Sequence, residues 1–361
     1  MKANNKIHIF LTFLALVMFL TSCDRRPLDY FYVNYTRIVV RCDWSRVPDK
    51  PSGMSLYIFK DGETNPRVIT TSSVDSVEVN LDEGHYKMFI MNQSTTEFGT
   101  YSFLNMDNYK SASSSLTAAT SSWYVPDAAI SEALEREPEN LGVAIADDFD
   151  ITEEMVSAFQ SAYKRYHGHI DPNPLKDLTT YIDVTANNTV SKLVTRVYIG
   201  GIYNLYSIRG GISKMAKNFL MTQTATDKDE ATQLLEGWTE KIDNNDATRG
   251  YVEIGVSTLG LPSNVITNEE VAKRDTSANL LRLSLLLVDG KTISYYKFGV
   301  GKKIEIQKGP EGYRLLHYIT LGTLDDPAII IPDVPPAESG GGGFTAIVDD
   351  WGDEVNVDIP I

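Results

Sequence analysis

The sequence predicts a mainly β chain in two domains, with one helix set among runs of short strands. Apolar residues alternate with polar ones at a period of two in segment after segment, as in Val77-Glu78-Val79-Asn80-Leu81. Turn-forming stretches punctuate these segments, among them Lys60-Asp61-Gly62-Glu63, Asp82-Glu83-Gly84 and Asp289-Gly290. A length of 361 residues corresponds to two domains at roughly 150 residues each, and 42% apolar residues can fill real cores.

The chain opens with Lys2 and Lys6, an apolar run from Ile7 to Leu20 broken by His8 and Thr12, and the string Leu20-Thr21-Ser22-Cys23. This resembles a bacterial lipoprotein signal peptide ending in a lipobox, in which a branched apolar residue and two small residues precede a thiol to be acylated. The apolar run is short of the roughly 20 residues that span a bilayer, and no A-x-A-like site for plain secretion is in place. The expectation is that residues 1–22 are removed and the mature chain begins at a lipid-modified Cys23.

The expected N-terminal domain covers 23–175. After a polar-to-aromatic leader, Ile38, Val40, Cys42 and Trp44 share one face of a first strand. Met54–Phe59 turns through Gly62 toward Val68-Ile69-Thr70. The Val77–Leu81 strand turns at Gly84 into Tyr86, Met88 and Ile90. The Ser-, Ala- and Thr-rich stretch from Ser111 to Ser122 reads as an exposed loop. Asp150 with Glu153 resembles a capping box, and Met155, Phe159 and Tyr163 recur at helical spacing before Pro172 and Pro174.

The expected C-terminal domain covers 176–336. Leu193–Ile199 and Ile202–Ile208 read as strands separated by Gly200-Gly201, and Tyr313–Leu321 as another. The strongest hairpin is Leu280–Val288 and Lys291–Val300 about Asp289-Gly290, a preferred two-residue turn. Helix–strand alternation of the parallel α/β kind is missing, which argues against a dinucleotide-binding fold. Ile331–Pro336 is extended and Gly340–Gly343 is a flexible joint. The remainder of 337–361 is a strand-like segment with Val355, Val357, Ile359 and Ile361 on one face, able to pair with its own domain or with another chain's sheet edge.

The net charge is −15, with a pI near 4.8, which disfavours nucleic acid and anionic membrane surfaces as partners. Of two cysteines, lipidation would consume Cys23 and leave Cys42 without an intramolecular partner, so Cys42 reads as a small core residue rather than half of a disulfide. His167 and His169 alternate, with only His85 and His317 remaining in the mature chain, and a polar helix exit explains them better than a metal site. The acidic clusters Asp147-Asp148-Phe149-Asp150 and Asp349–Glu354 do not fit an EF-hand loop. No nucleophile-elbow, Walker or dinucleotide motif occurs. No catalytic residue, metal or cofactor is assigned, and the chain is read as a non-enzyme.

Taken together, the lipobox at Leu20–Cys23, the strand ending Val40-Arg41-Cys42-Asp43-Trp44, the Glu78–Asn92 hairpin with its Gly84-x-Tyr86 turn, and the tail Val348-Asp349-Asp350-Trp351 resemble the fimbrillin-type lipoproteins of Bacteroidales. These are the subunits and anchors of lipoprotein-derived (type V) pili. Cys23–Leu28 is also similar to the mature start of uncharacterised lipoproteins from these bacteria.

The resemblance implies two transthyretin-like β-sandwich domains with one or two short helices, and assembly by strand exchange. It also implies proteolysis after an arginine in polymerising members, for which Arg46, Arg41 and Arg37 are the candidates and Arg46, just past the first strand, is best placed. Val355, Val357, Ile359 and Ile361 are the candidate exchanging residues. Ser76, within Asp75-Ser76-Val77, matches the short O-glycosylation pattern of these bacteria.

The expected protein is therefore a lipid-anchored subunit or anchor on the outer membrane or fimbrium, acting in adhesion. Its partners would be the membrane through Cys23, fimbrial subunits and a surface ligand. The alternative is a surface glycan-binding lipoprotein of a polysaccharide-uptake system, with exposed tyrosines among Tyr203, Tyr206, Tyr295 and Tyr296 stacking on sugars; a hydrolase comes third.

Overall fold

The structure, a computed structural model, describes residues 33–118, 133–134, 137–164 and 176–334. Its N-terminal strands are β1 (Thr36–Arg46), β2 (Met54–Lys60), β3 (Arg67–Thr71), β4 (Ser76–Leu81) and β5 (Gly84–Met91). β6 (Tyr101–Leu104), β7 (Ser113–Leu116), β8 (Ala133–Leu134) and β9 (Gly142–Ile151) follow, then helix α1 (Glu153–Lys164) and β10 (Thr180–Asn188). Seven of these strands form one sheet in the order β3-β2-β5-β9-β10-β1-β4.

β1 shows how the alternation works. Ile38, Val40, Cys42 and Trp44 are all buried while Arg41, Asp43 and Ser45 are exposed, because a period of two sends successive side chains to opposite faces. The Trp44 indole N–H, which burial would leave without water, donates to the Val74 carbonyl at 2.8 Å. Gly142 is required beside it: a Cβ there would stand 2.8 Å from Val47 Cγ2 and 3.1 Å from the Trp44 ring.

The second half supplies β11 (Ser191–Gly200), β12 (Leu205–Ala216), β13 (Asn218–Leu220), β14 (Ala225–Thr226), β15 (Glu230–Leu235), β16 (Thr239–Ile242) and β17 (Arg249–Thr258). The short helix α2 (Asn268–Ala272), β18 (Leu280–Leu287), β19 (Ile293–Gly299), β20 (Ile304–Lys308), β21 (Leu315–Leu321) and β22 (Ile329–Ile330) complete it. One sheet runs β16-β17-β11-β21-β20 with β22 also on β11, another β19-β18-β12-β15-β8, and a small one β14-β13-β7-β6.

A continuous core joins the first two of these sheets. Leu193, Val197, Val252, Ile254, Ile319 and Leu321 from one layer cluster with Ile212, Leu281, Leu283, Leu285 and Leu287 from the other. Strict alternation along β11, buried at every second residue, gives this layer its inner face. The small sheet covers a separate core in which Tyr57, Phe89 and Met91 meet Leu116, Phe219 and Leu259. Tyr57 and Phe89 stack there with ring centroids 4.8 Å apart. The chain divides into two compact units, and among the described residues the smaller takes in 33–39, Glu78–Gly84, 150–164 and 176–181. Within it, helix α1 buries Phe159 and Ala162 against Val33, with Tyr35, Tyr163 and Leu178 around them.

The mainly β reading holds, and five local expectations change. Ser111–Ser122 is not wholly loop: Ser113–Leu116 is a strand between β6 and β13, and Ser113 and Ser114 are buried by that pairing. The cap of α1 is Thr152 rather than Asp150, since Thr152 Oγ1 accepts the Met155 N–H at 3.3 Å and Asp150 belongs to β9. The Asp289-Gly290 hairpin forms between the expected strands, but Leu287 N–H donates to Thr292 O at 2.9 Å, so four residues and not two make the loop. Asp289 Oδ1 binds the Lys291 and Thr292 N–H groups, and Gly290 takes φ 67°. The expected Glu78–Asn92 hairpin does not form: β4 pairs with β1 at one end of the seven-stranded sheet and β5 lies between β2 and β9. The turn at Asp82-Glu83-Gly84 therefore carries the chain to another part of the sheet instead of back beside β4. Finally, Ile202–Asn204, expected to open a strand, is a single 3-10 turn after Gly201 at φ 71°, and β12 begins at Leu205. The parallel pairing of β11 with β21 and β22 is a long-range arrangement that local pattern does not display.

Candidate functional site

The three arginines singled out in the sequence lie on β1, in different surroundings. Arg37 Nε stands 3.7 Å from Glu78 Oε2, and its guanidinium lies 6.0 Å from the Phe159 ring centroid. Arg41 grips Asp183 at two points and holds that carboxyl below the usual carboxylate range. Arg46 is the last residue of the strand, exposed, with a single long contact from Nη1 to Asn187 Oδ1 at 3.2 Å. Beyond it the chain bends: Asp43 accepts the Ser45 N–H at 2.9 Å, and Val47 N–H donates to Trp44 O at 3.0 Å.

Between Arg37 and Arg46, Cys42 is buried and free. Desolvation, then the neighbouring Asp43 charge, pushes its thiol up to about 12, so it is inert as a nucleophile at neutral pH.

Arg46 lines a cleft of about 660 Å³. One wall is Asn187, Asn188 and Thr189, and the other is the segment Lys308–Arg314 that joins β20 to β21. Gly312, at φ 81°, brings this segment against Pro48, where a Cβ would stand 2.7 Å from the proline ring. Asn188 Nδ2 donates to Gly312 O at 2.8 Å and to Asn140 Oδ1 at 3.1 Å. Arg314 lies 5.3 Å over the Phe219 ring and donates to Asn264 Oδ1 at 2.8 Å; burial pulls its pKa below the ordinary arginine value. Arg46, Lys308 and Arg314 face one carboxylate, Glu311. The lining offers a ligand positive charge and amide hydrogen bonds. It pairs no nucleophile with a base. Sequence reasoning missed the cleft because its two walls are more than a hundred residues apart.

Ser76 is exposed at the start of β4, and the adjacent Asp75 is paired with Lys50 at 3.1 Å. Lys87 Nζ and His85 Nε2 both contact Asp148, at 3.2 and 3.1 Å, so that acid is held by neighbours within its own sheet and its pKa is lowered. Tyr109 OH donates to Asp147. Among the described residues no group of three His, Cys, Asp or Glu side chains is placed to hold a metal. Tyr203, Tyr206 and Tyr295 are exposed, while Tyr296 packs partly against the core. Cys23, His167, His169, Val355, Val357, Ile359 and Ile361 lie outside the described residues.

Over 373 aligned residues the chain is 21% identical to Fim4B of Bacteroides ovatus, named as a proposed fimbrium anchoring subunit, with 98% of each chain covered. A crystal structure of a proposed adhesin from the same species superposes with a TM-score of 0.51 at 14% identity, covering 87% of this chain and 98% of that one; this shows a shared fold. The fimbrial anchor protein Mfa2 of Porphyromonas gingivalis is more distant, at TM-score 0.37 and 9% identity over 75% of this chain and 84% of that one. The family described as a domain of unknown function, DUF5119, matches residues 22–236. That match takes in more than half of the sequence and all of β1 to β15, and the chain belongs to the DUF5119 family.

Proposed function

We propose that this chain is a cell-surface fimbrial anchor, held to the outer membrane by acyl chains on Cys23. The observation that carries the reading is the match to a relative named for fimbrium anchoring along 98% of both chains. Several acyl chains, at about 0.8 kcal/mol per buried CH₂, make release from a bilayer slow. The glycan-binding alternative is not favoured beside a full-length relative with that name.

In this reading the body is a pair of transthyretin-like sandwiches, residues 23–175 and 176–336, with β10 (Thr180–Asn188) of the second stretch completing the sheet of the first, and the segment 337–361 beyond them. The anchor keeps β1, so the strand between β10 and β4 stays in the sheet. A subunit that polymerised would instead lose it by cleavage after Arg46, which is exposed at the strand's end, whereas Arg41 is clamped within it. Fimbrial partners would dock by strand exchange, with Val355, Val357, Ile359 and Ile361 as donated side chains. Adhesion would follow from the fibre that the anchor retains. Ser76, exposed on β4, is the candidate O-glycosylation position.

Replacing Cys23 with Ser in the source bacterium tests the reading. The expected result is loss of the protein from the outer-membrane fraction and release of fimbriae into the medium. Unchanged retention of both overturns it.

A further inference from the structure

We infer that the outer edge of β19 is a docking edge for the acidic segment Phe344–Ile361 of the same chain, which would pair with it as an added strand. The inference rests on the strand-like reading of Val355–Ile361 and concerns the unassembled chain, in which the segment would sit on its own β19 until a fimbrial partner takes it up in exchange.

Among the described residues β19 is hydrogen-bonded to one neighbour, β18, and forms the end of its sheet. Its charge sets it apart. From Lys291 to Lys303 the sequence carries Lys291, Lys297, Lys302 and Lys303 and no Asp or Glu, in a chain of net charge −15. Of the other edges, β4 carries Glu78, β16 carries Glu240 and runs into Asp243, β20 carries Glu305 with Lys308, and β3 carries the single charge of Arg67.

Lys297 stands directly opposite Arg282 on β18. Like charges at such a position repel unless a counter-charge joins them. Arg282 Nε is buried without a hydrogen-bond partner among the described residues. An exposed lysine on an edge strand normally refuses further strands. A strand that brings carboxylates turns that refusal into selectivity.

Phe344–Ile361 brings five, Asp349, Asp350, Asp353, Glu354 and Asp358, with no Lys or Arg. The two faces of β19 also match it. Tyr295 and Lys297 are exposed on one side. On the other, Tyr296 and Phe298 stack with planes 4° apart, half-covered at the rim of the sandwich core. Asn356 and Asp358 would lie beside the first pair, and Val355, Val357 and Ile359 would extend the second.

The chain leaves the described region at the right place. Tyr203 OH and Asn204 Nδ2 both donate to Asp333 Oδ1, and Asn204 O accepts the Val288 N–H at 2.9 Å, at the β18–β19 turn. From β12 to β19 is two strand spacings, about 10 Å. Residues 335–343 reach up to about 30 Å, so the tether spans the gap with an effective concentration on the order of millimolar.

Hydrogen exchange of the full mature chain, read by mass spectrometry on peptides covering 293–299, tests the inference. Three variants accompany it: truncation after Gly343, a full-length chain with Asp353, Glu354 and Asp358 changed to Lys, and Lys297→Glu combined with Asp358→Lys. The expected result is at least tenfold faster exchange in β19 for the first two, with β11 unchanged. The charge swap should restore protection, and protection should not depend on protein concentration. Equal exchange in the full chain and the charge-reversed chain overturns the inference. So does protection that grows with concentration, which would place the tail on a second copy. Should truncation expose β11 as well, the full-length charge-reversed chain decides. Failure of subunit exchange in an assembly assay leaves these readings untouched.

Discussion

Arg41 holds the Asp183 carboxylate in a two-point fork, Nε to Oδ1 at 2.5 Å and Nη2 to Oδ2 at 2.7 Å. Arg46, five residues on, makes one contact at 3.2 Å. A protease must draw an extended segment into its cleft, so an arginine clamped within a paired strand is protected and one at the strand's end is not. Limited digestion of the folded chain with an arginine-specific protease should therefore cut after Arg46 before it cuts after Arg41 or Arg37. Intact-mass analysis of an early time course shows which bond goes first.

The same fork carries a pH signature. Arg41 lowers the Asp183 pKa from its ordinary value, so the stability it contributes is present above the unfolded carboxylate pKa and is lost as pH falls through the folded one. In Arg41→Ala the Asp183 titration, followed by NMR, should move up toward the ordinary value. Both side chains are more than half exposed, so thermal stability at pH 7 should change little.

Cys42 offers a readout of the core beneath β1. With its thiol pushed up to about 12 by burial, it should resist a disulfide-exchange reagent at pH 8 until the protein unfolds. A raised folded pKa means that stability is full below the unfolded thiol pKa, near 8.5, and declines as pH rises from there toward 12. Reagent reaction rates against denaturant concentration, and denaturation midpoints from pH 7 to 10, check both statements.

His317 is fully buried on β21, and desolvation, with Arg314 adding to it, lowers its pKa to about 4. The unfolded chain then binds a proton near pH 6.5 that the folded chain refuses. Stability is fully present above pH 6.5 and falls as pH drops toward 4, by about 3 kcal/mol across that window. His317→Gln should flatten this part of the profile in urea titrations. An unchanged slope would assign the acid sensitivity to other groups.

Gly260 faces that imidazole. It sits at φ 100°, and a Cβ there would stand 3.0 Å from His317 Cε1. Gly260→Ala should cost about 1–3 kcal/mol from the backbone conformation alone, and more from the contact. Denaturant unfolding of the single variants and of Gly260→Ala with His317→Ala separates the two, since only the contact is relieved in the double variant.

How much was legible depended on whether the signal was local. The β1 face, the β2–β3 hairpin and the β18–β19 pair were readable because one face of each strand is buried and a turn residue marks each end. The strands β4 and β5 were readable too, but not their partners, β1 for the one and β2 and β9 for the other. Ser113–Leu116 was not, because its buried serines show no apolar alternation and their partners, Asn218–Leu220, come a hundred residues later. Thr152 lost to Asp150 as the expected cap because Glu153 completed a familiar spacing that the fold does not use. At the site, sequence singled out Arg37, Arg41 and Arg46 and put Arg46 first only from its place past the apolar alternation of the strand. The fold adds the physical distinction, by supplying Asp183 to Arg41 and Asn187 to Arg46 from a strand about 140 residues away.

The most direct test of anchoring is the mass of the mature N-terminus in protein taken from the outer membrane. The expected species begins at Cys23, carries acyl chains on it and retains β1 through Arg46. A mature chain that begins after Arg46, or an unmodified Cys23, would contradict a lipid-held anchor.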